Sequence, residues 1–247
     1  MSAPPLLLGH RGVRVLRTVP ENSFAAFDAA LAQGCDGFEF DVRATADGAL
    51  VTVHDAKYRG VTVATAPQAR LANLPQLSEI LKKYGARSFL DIELKVEGME
   101  PEVLQVLREH RPERGYVISS FLPSVVLELR ARRSAIPLGI ICDKPSQLRR
   151  SFELPVDYMI LEQPLLREEL VERIHEAGRK LLVWTVNKPD DMRRLAAWGV
   201  DGIISDDPGL LARTLSPRGD RSDMPPAKRV KRASLKNHKG ARKNSRD

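Results

Sequence analysis

The sequence predicts an α/β fold, a single (β/α)8 TIM barrel, and three observations lead to this prediction. Short apolar runs alternate with longer amphipathic stretches through residues 1–216, as in repeated βα units around a parallel sheet. A chain of 247 residues that is 43% apolar can bury one substantial core. No Gly-x-Gly-x-x-Gly pattern follows the first apolar run, so a doubly wound open sheet is the less favoured alternative.

The predicted strands and helices follow one another along these residues. Strands are expected at about residues 5–10, 36–42, 48–53, 87–94, 115–120, 136–142, 156–161, 180–186 and 200–205. Helices are expected at about residues 22–33, 76–84, 100–110, 123–133, 145–151, 166–177, 189–198 and 207–215. The run at 48–53 follows Asp47-Gly48, a tight-turn dipeptide, and is interpreted as the return arm of a hairpin off the second strand. Eight strands and eight helices then remain, as the barrel requires.

The positive charge of the chain is concentrated near its end. Of the formal net charge of +7, residues 217–247 carry +8, from eleven Lys or Arg and three Asp, and residues 1–216 carry −1. Because this segment has almost no apolar residues to bury, we expect a disordered basic tail. Its main expected role is solvation, with weak contact to anionic surfaces, and the string Lys228–Arg232 is too common a pattern to identify a nuclear address. The predicted organisation is a barrel domain, 1–216, and a tail, 217–247.

Other features of the sequence bear on where in the cell the protein is expected. No run approaches the roughly 20 apolar residues of a membrane span, and the chain reaches Gly9-His10-Arg11 too soon for a signal peptide. Cys35 and Cys142 lie in or beside apolar runs, where a free thiol behaves as a small hydrophobe, so no disulfide is expected between them. A cytoplasmic, reducing location is the prediction.

Carboxylates recur on one side of two predicted strands. Glu39 and Asp41 alternate with apolar residues on the second strand, and Asp91, Glu93 and Lys95 do so on a later one. In a barrel that side faces the interior, where an unpaired carboxylate costs several kcal/mol. A divalent cation would offset this cost, and oxygen ligands suit Mg²⁺, Ca²⁺ or Mn²⁺ better than Zn²⁺.

Two histidines favour a catalytic site over a structural ion network. By themselves, the carboxylates could simply pair with Arg11, Arg43 and Lys95. His10 and His54, however, stand at strand ends that should face one mouth of the barrel, where active sites form on this fold. Paired histidines suit acid and base catalysis near neutral pH, and Arg11 and Lys95 could neutralise a phosphoryl group. The other histidines are interpreted as structural or solvated: His110, His175 and His238.

Short motifs occur in a fixed order between residues 9 and 206. They are Gly9–Gly12, Pro20–Ser23 leading to Phe27, Gly37–Val42, Thr45 with Asp47-Gly48, Val53–Asp55, Glu93–Lys95, Ser119–Phe121, Trp184–Asn187 and Gly199–Asp206. Together they resemble the signature of the glycerophosphodiester phosphodiesterase family, over about residues 5–213. Several spaced motifs in one order are far more specific than any single one.

The resemblance implies roles for individual residues. The positions that match the family's functional residues are Glu39, Asp41 and Glu93 for a divalent metal, Mg²⁺ or Ca²⁺, His10 and His54 for acid and base catalysis, and Arg11, Lys95 and Trp184 for the substrate. The implied reaction is metal-dependent hydrolysis of a small phosphodiester. One histidine would deprotonate the neighbouring glycerol hydroxyl to give a cyclic phosphate, and the other would protonate the leaving alcohol. Water would then open the ring and release glycerol 3-phosphate.

The segment after His54 departs from the family pattern. Members commonly carry an Arg-Thr-Thr-Gly type stretch in a longer insertion over the site, whereas here residues 55–75 form only a short cap. The alcohol of the substrate is therefore open, and cleavage of lysophospholipids is an alternative on the same scaffold. A non-catalytic barrel that binds a phosphorylated ligand is a second alternative, disfavoured by the intact histidine pair. A nucleic-acid phosphodiesterase is disfavoured by the near-neutral barrel and the 5% content of aromatic residues.

Overall fold

The computed structural model describes residues 3–132 and 135–216. The strands are β1 Leu6–Gly9, β2 Gly37–Ala44, β3 Leu50–Thr52, β4 Lys57–Tyr58, β5 Val61–Thr62, β6 Phe89–Leu94, β7 Tyr116–Ser120, β8 Leu138–Cys142, β9 Tyr158–Glu162, β10 Lys180–Trp184 and β11 Gly202–Ser205. The α-helices are α1 Phe24–Ala32, α2 Leu77–Tyr84, α3 Glu100–Glu109, α4 Pro123–Arg132, α5 Pro145–Ser151, α6 Glu168–Glu176, α7 Pro189–Ala197 and α8 Pro208–Leu215.

Eight of these strands form a closed parallel barrel. Around the barrel they run β1, β2, β6, β7, β8, β9, β10 and β11, and β11 pairs with β1 to complete the circle. The short strand β3 pairs antiparallel with β2, with Val42 opposite Thr52. The predicted TIM barrel and its hairpin are therefore confirmed, and the open-sheet alternative is excluded because β1 has a partner on both sides.

Successive side chains along each strand point alternately out of the barrel and into it, and this produces two separate apolar regions. The outward residues of β2 pack under α1, where the rings of Phe27 and Phe38 stack at 4.3 Å between centroids. The inward residues of other strands form a smaller cluster that fills the lumen and includes Leu8, Val117 and Ile160. Because the lumen is filled by apolar side chains, the charged inward residues of β2 and β6 are left at its open, C-terminal end.

Two helices begin with side-chain caps just after a strand of the site. Ser23 accepts a hydrogen bond from the backbone N of Ala26 at the start of α1. Asp207 does the same for Leu210 at the start of α8, at 2.9 Å. These caps satisfy backbone groups that a helix leaves free at its N-terminus, and they end the two loops that leave β1 and β11.

A small cap follows His54. It consists of the β4–β5 hairpin and two short 3-10 helices, Val63–Thr65 and Gln68–Leu71. Its apolar side chains form a cluster of their own with the β3 arm: Val51, Val53, Val63, Ala66, Leu71 and Leu74. The cap is therefore packed against the β2–β3 hairpin. A short cap at this place is what the sequence after His54 predicts.

The remaining sequence predictions concern thiols, membrane spans and the tail. Cys35 and Cys142 are both buried and free. No helix in the described part of the chain is long and apolar enough to cross a bilayer. The predicted tail, 217–247, and with it the predicted domain boundary, lie outside the described residues.

Candidate active site

The turn after β1 brings the first histidine to the open end of the barrel. Arg11 and Gly12 both have positive φ angles, 51° and 83°, and a Cβ at Gly12 would lie 2.6 Å from the carbonyl carbon of Ala26. In this conformation the backbone N of Arg11 donates a hydrogen bond to Oε2 of Glu39 at 2.9 Å. The tight turn therefore connects the end of β1 directly to a carboxylate of β2.

Three carboxylates form a compact cluster at the mouth of the lumen. Parallel pairing places Asp41 of β2 beside Glu93 of β6, with Glu39 one layer below. One oxygen from each of these three groups lies within 4.8 Å of the others, and all three residues are buried. Oε1 of Glu39 is buried and has no hydrogen-bond partner within the described part of the chain. A set of oxygen donors at this spacing is suited to a hard divalent cation.

Two cations lie against this cluster. Nε of Arg11 is 3.1 Å from Oδ2 of Asp41, and Nζ of Lys95 is 3.2 Å from Oδ1 of the same residue. Lys95 also contacts Oε1 of Glu93 at 2.5 Å. Two positive groups thus face the three carboxylates of the cluster and the buried Asp91, which lies beside Glu39.

The pKa values of these carboxylates reflect their burial first and their charged neighbours second. Burial, and then the neighbouring carboxylates, raise the pKa of Glu39 well above its usual value. Burial likewise raises the pKa of Glu93 and of Asp91 to about 7 in each case. Burial also acts to raise the pKa of Asp41, but Lys95 and Arg11 outweigh it and hold that pKa below its usual value. The site would therefore gain from one more source of positive charge.

His10 is a buried histidine with a carboxylate on one ring nitrogen. Its Nδ1 lies 2.8 Å from Oδ1 of Asp206, and its Nε2 lies 3.9 Å from Oε2 of Glu39. Burial lowers the pKa of His10, and the hydrogen bond to Asp206 offsets part of that effect. The pKa of Asp206 is held below its usual range, because contacts with His10 and Asn187 outweigh its own burial. Asp206 is therefore an ionised acceptor for the imidazole.

His54 occupies a more open position at the rim. Its side chain is 37% exposed, and its Nδ1 lies 2.7 Å from Oδ1 of Asp55. The guanidinium of Arg43 donates to the carbonyl oxygen of His54 at 2.9 Å, which fixes the backbone where the cap begins. The two histidines thus share a pattern, a carboxylate on Nδ1, but differ in their access to solvent.

One cavity joins these groups, with a volume of about 470 Å³ that includes space open to solvent. Of the eight site residues predicted from the sequence, seven line it: His10, Arg11, Glu39, His54, Glu93, Lys95 and Trp184. The eighth, Asp41, contributes to the carboxylate cluster but is fully buried behind the cavity wall. The opposite wall is apolar and is formed by Phe121, Ile141, Ile160, Trp184 and Ile204. Phe121 and Trp184 meet edge to face at 5.6 Å between centroids.

Comparison with known proteins identifies the family. The chain matches the model of the glycerophosphoryl diester phosphodiesterase family over residues 10–87 and 77–210. The chain belongs to this family. A curated glycerophosphodiester phosphodiesterase of Caldanaerobacter subterraneus subsp. tengcongensis is 30% identical in an alignment 240 residues long. The alignment covers 83% of this chain and 96% of that protein.

Solved structures of this phosphodiesterase family agree in fold. A phosphodiesterase of Oleispira antarctica, crystallised with the product sn-glycerol-3-phosphate, has a TM-score of 0.75 at 25% identity and covers 87% of this chain and 98% of its own. A glycerophosphodiester phosphodiesterase of Agrobacterium tumefaciens has the same TM-score and identity, with coverage of 86% and 100%. The predicted family membership is confirmed, and with it the prediction of an enzyme of the phosphoric diester hydrolase class.

Three residues beyond the eight predicted site residues also contribute to the site. Asp206 contacts His10, as described above. Asn22, with a positive φ of 56°, donates from Nδ2 to Asp41 and accepts from the backbone N of Asp41. Asp91 accepts a hydrogen bond from Ser119 at 2.6 Å and lines the cavity. Asp206 could have been found from its position at the end of a strand, and Asp91 from the alternation that turns it into the barrel. No spacing in the sequence predicts that Asn22 contacts β2.

Proposed function

We propose that this chain hydrolyses glycerophosphodiesters to glycerol 3-phosphate and an alcohol, with Mg²⁺ or Ca²⁺ bound and with His10 and His54 transferring protons. The observation that carries the proposal is one cavity lined by two histidines, two cations and two carboxylates of the cluster, with the third, Asp41, directly behind its wall. Phosphodiester cleavage needs the same three elements: a base, an acid and positive charge at the phosphoryl group.

The donor set supports a divalent metal at Glu39, Asp41 and Glu93. Among the described residues, two cations form ion pairs with these carboxylates, Arg11 and Lys95, so together with Asp91 the four carboxylates outnumber their paired cations by about two when every carboxylate is ionised. One divalent cation would offset this excess, and Oε1 of Glu39, which has no hydrogen-bond partner among the described residues, would coordinate it. When bound, the metal supplies positive charge that polarises the phosphoryl oxygens.

His10 is suited to act as the general base. Because Asp206 is ionised and accepts from Nδ1, the proton of a neutral His10 stays on Nδ1 and the Nε2 lone pair faces the cavity side near Glu39. The lowered pKa keeps the imidazole neutral at neutral pH. His10 would remove the proton of the glycerol hydroxyl next to the phosphate, and that oxygen would attack phosphorus to form the cyclic phosphate.

His54 is suited to act as the general acid. It stands on the exposed rim of the cavity, where the leaving alcohol can depart into solvent. As the bond from phosphorus to the alcohol oxygen breaks, His54 would give its proton to that oxygen. Water then attacks phosphorus with the roles reversed. His54 takes a proton from the water, the bond from phosphorus to the ring oxygen breaks, and His10 gives its proton to that oxygen, which restores the glycerol hydroxyl.

Arg11 and Lys95 are the candidates for phosphate contacts, and Trp184 for a substrate wall. Both cations line the cavity while their charges also hold Asp41 ionised. A phosphodiester carries one negative charge, which these two groups can stabilise as it increases in the transition state. Trp184 brings a buried indole N–H without a hydrogen-bond partner to the apolar wall, where a substrate oxygen could accept it.

Cleavage of lysophospholipids is a second candidate, and the apolar wall of the cavity favours it. Five apolar side chains, from Phe121 to Ile204, line one half of the space, which a lipid-bearing glycerol could use. The cap over residues 55–75 is also short, and the 37% exposure of the His54 side chain at the rim gives a large alcohol or acyl group access to the cavity. The two candidates share the same phosphate chemistry and differ in the group attached to it.

One assay tests the proposal and separates the two substrates. The protein is incubated with a panel of glycerophosphodiesters and lysophospholipids, after chelation and again with Mg²⁺ or Ca²⁺ restored, and products are followed by phosphorus NMR. We expect glycerol 3-phosphate from glycerophosphodiesters, no turnover after chelation, and recovery with metal. Turnover that persists in chelator would contradict the metal role, and no turnover of any member of the panel would favour a ligand-binding barrel.

Some predictions from the sequence extend this proposal. We place the enzyme in the cytoplasm, with a small phosphodiester as its partner and no specific nucleic-acid target. The basic segment 217–247 is proposed to make weak contacts with anionic surfaces. Fractionation of cells that express the full chain, followed by immunodetection, tests the location.

A further inference from the structure

Two neighbouring apolar side chains are exposed beside the cavity. Val15 is 49% exposed and Leu16 is 39% exposed, and both lie in the loop that leaves β1 at His10. Among the described residues, one other large apolar side chain is comparably exposed, Leu127 of α4, at 49%. Isolated exposed apolar residues are ordinary, but an adjacent pair in a loop at the cavity end of the barrel favours a surface that contacts another molecule.

The loop that carries this pair is held in place by hydrogen bonds. The backbone N atoms of Arg14 and Val15 donate to the carbonyl of Asp206, at 3.0 and 3.3 Å, and a turn joins Val19 N to Leu16 O at 2.9 Å. The side chain of Arg14 also bridges Oε2 of Glu21 and Oδ1 of Asp206. Val15 and Leu16 are therefore exposed by a fixed backbone conformation rather than by a poorly packed loop.

Exposed positive charges lie on segments at the same end of the barrel as the pair. Arg17 directly follows Leu16, is exposed, and has no ion-pair partner within residues 3–132 and 135–216. Lys57 and Arg59 are exposed on the β4–β5 hairpin of the cap, and neither forms an ion pair with any described residue. Arg59 instead lies 5.2 Å from the ring centre of Tyr58. The end of the barrel that holds the cavity thus presents an apolar pair with uncompensated cations nearby.

We propose that this loop docks the protein on a lipid surface that carries anionic phosphate headgroups. Val15 and Leu16 enter the headgroup region, and Arg17, Lys57 and Arg59 meet the phosphates. A second copy of this chain fits the surface less well, because a two-fold contact through the pair would bring Arg17 close to its own symmetry mate. The inference concerns binding alone, so it stands apart from the proposed catalytic function.

Vesicle binding of the full chain tests the proposal. Vesicles of phosphatidylcholine, alone or with phosphatidylglycerol, are sedimented with the wild type, with V15S/L16S, with R17Q, and with L127S as the matched control. We expect V15S/L16S to bind mixed vesicles about tenfold more weakly, since half-exposed Val and Leu side chains no longer leave water. R17Q should bind vesicles that contain phosphatidylglycerol about fivefold more weakly than the wild type, and should bind pure phosphatidylcholine vesicles as the wild type does. L127S should match the wild type on both.

The basic tail is present in every variant, so differences between variants report the loop. Repeating the assay at about 0.5 M salt screens the tail and should leave the effect of V15S/L16S in place. Equal binding by V15S/L16S and L127S overturns the proposal. A change in molecular mass for V15S/L16S in analytical ultracentrifugation overturns it as well, because the pair would then join two copies. Unchanged melting temperatures establish that each variant is folded, whether or not any substrate is turned over.

Discussion

Nδ1 of His10 lies 2.8 Å from Oδ1 of Asp206, a residue 196 positions later in the chain. The other oxygen of Asp206 accepts a hydrogen bond from Nδ2 of Asn187 at 2.7 Å, and Oδ1 of Asn187 accepts from the backbone N of Asp206. The carboxylate is thus oriented from the side opposite the imidazole. This arrangement fixes both the ring plane and the tautomer of His10, which makes Asp206 a positioning residue.

Asp206→Asn should lower kcat/KM by about 10–100-fold, the usual cost of losing a partner that orients a functional imidazole. It should also lower the pKa of His10 further, because the Asp206 carboxylate raises that pKa against the effect of burial. A base with a lower pKa stays neutral to lower pH, so the acid limb of the profile of kcat/KM against pH should move to lower pH. A full pH profile measures both effects.

Asp55→Asn is the matched comparison. Asp55 contacts Nδ1 of His54 at 2.7 Å, but its side chain is 78% exposed, so solvent screens the interaction. We expect a loss smaller than for Asp206→Asn and little change in the acid limb. An equal loss of kcat/KM in the two variants would show that the burial of the His10–Asp206 pair does not make it more important than the exposed His54–Asp55 pair.

His10→Ala and His54→Ala should each reduce kcat by at least about a hundredfold, since each removes one proton-transfer group. His175→Ala is the control, because His175 is an exposed residue that pairs with Asp201 far from the cavity. Circular dichroism should show the native fold in all three. Near-normal turnover in either of the first two variants contradicts its assignment.

Metal binding should stabilise the protein against heat. A ligand at about a hundred times its Kd adds about 2.7 kcal/mol, which corresponds to a rise in Tm of roughly 5–10 °C for a domain of this size. Glu93→Gln should abolish this rise because it removes a ligand charge from the carboxylate cluster. Glu102→Gln, on the exposed face of α3, should keep it. The same rise in both variants would favour a structural ion network over a metal site.

The two cysteines should be unreactive in the native protein. Burial raises the pKa of Cys35 to about 12 and of Cys142 to about 11, so at about pH 8.5 almost no thiolate is present. Iodoacetamide should modify neither residue in the native state and both after denaturation, as read by mass spectrometry. Rapid modification of the native protein would mean that these sites open to solvent.

Phe38→Ala should destabilise the barrel by about 3–5 kcal/mol. The ring is fully buried and stacks on Phe27, so its loss leaves a cavity between β2 and α1. Leu127→Ala, at a half-exposed position, should change the free energy of unfolding by no more than about 0.5 kcal/mol. Urea unfolding measures both values, and a small cost for Phe38→Ala would mean that this wall of the core repacks.

Local alternation was enough to predict much of the site. Glu39 and Asp41 lie two residues apart on a strand, as do Asp91 and Glu93, and the period of two puts each pair on one face. Once the barrel is predicted, that face can only be the interior, so the sequence led to a carboxylate cluster. His10 was found by the same reasoning, because strand ends of one polarity meet at one mouth.

Other features depend on contacts between distant segments, which spacing does not encode. The link between Asn22 and Asp41 exists because the β1–α1 loop folds across the end of β2. The partner of His10 depends on closure of the barrel, since β11 becomes a neighbour of β1 only when the circle is complete. The pairing of Arg11 and Lys95 with the same carboxylate likewise needs the register between β2 and β6.

By itself, the sequence determined the barrel, its hairpin, the family and the residue types of the site, because each follows from periodicity or from motifs that are contiguous in the chain. The tertiary structure decided how those residues differ from one another. It buried His10 against Asp206 while leaving His54 at the rim, and it placed more negative than positive charge in one cavity. These distinctions arise from desolvation and from neighbours supplied by barrel closure, and both are properties of the assembled core.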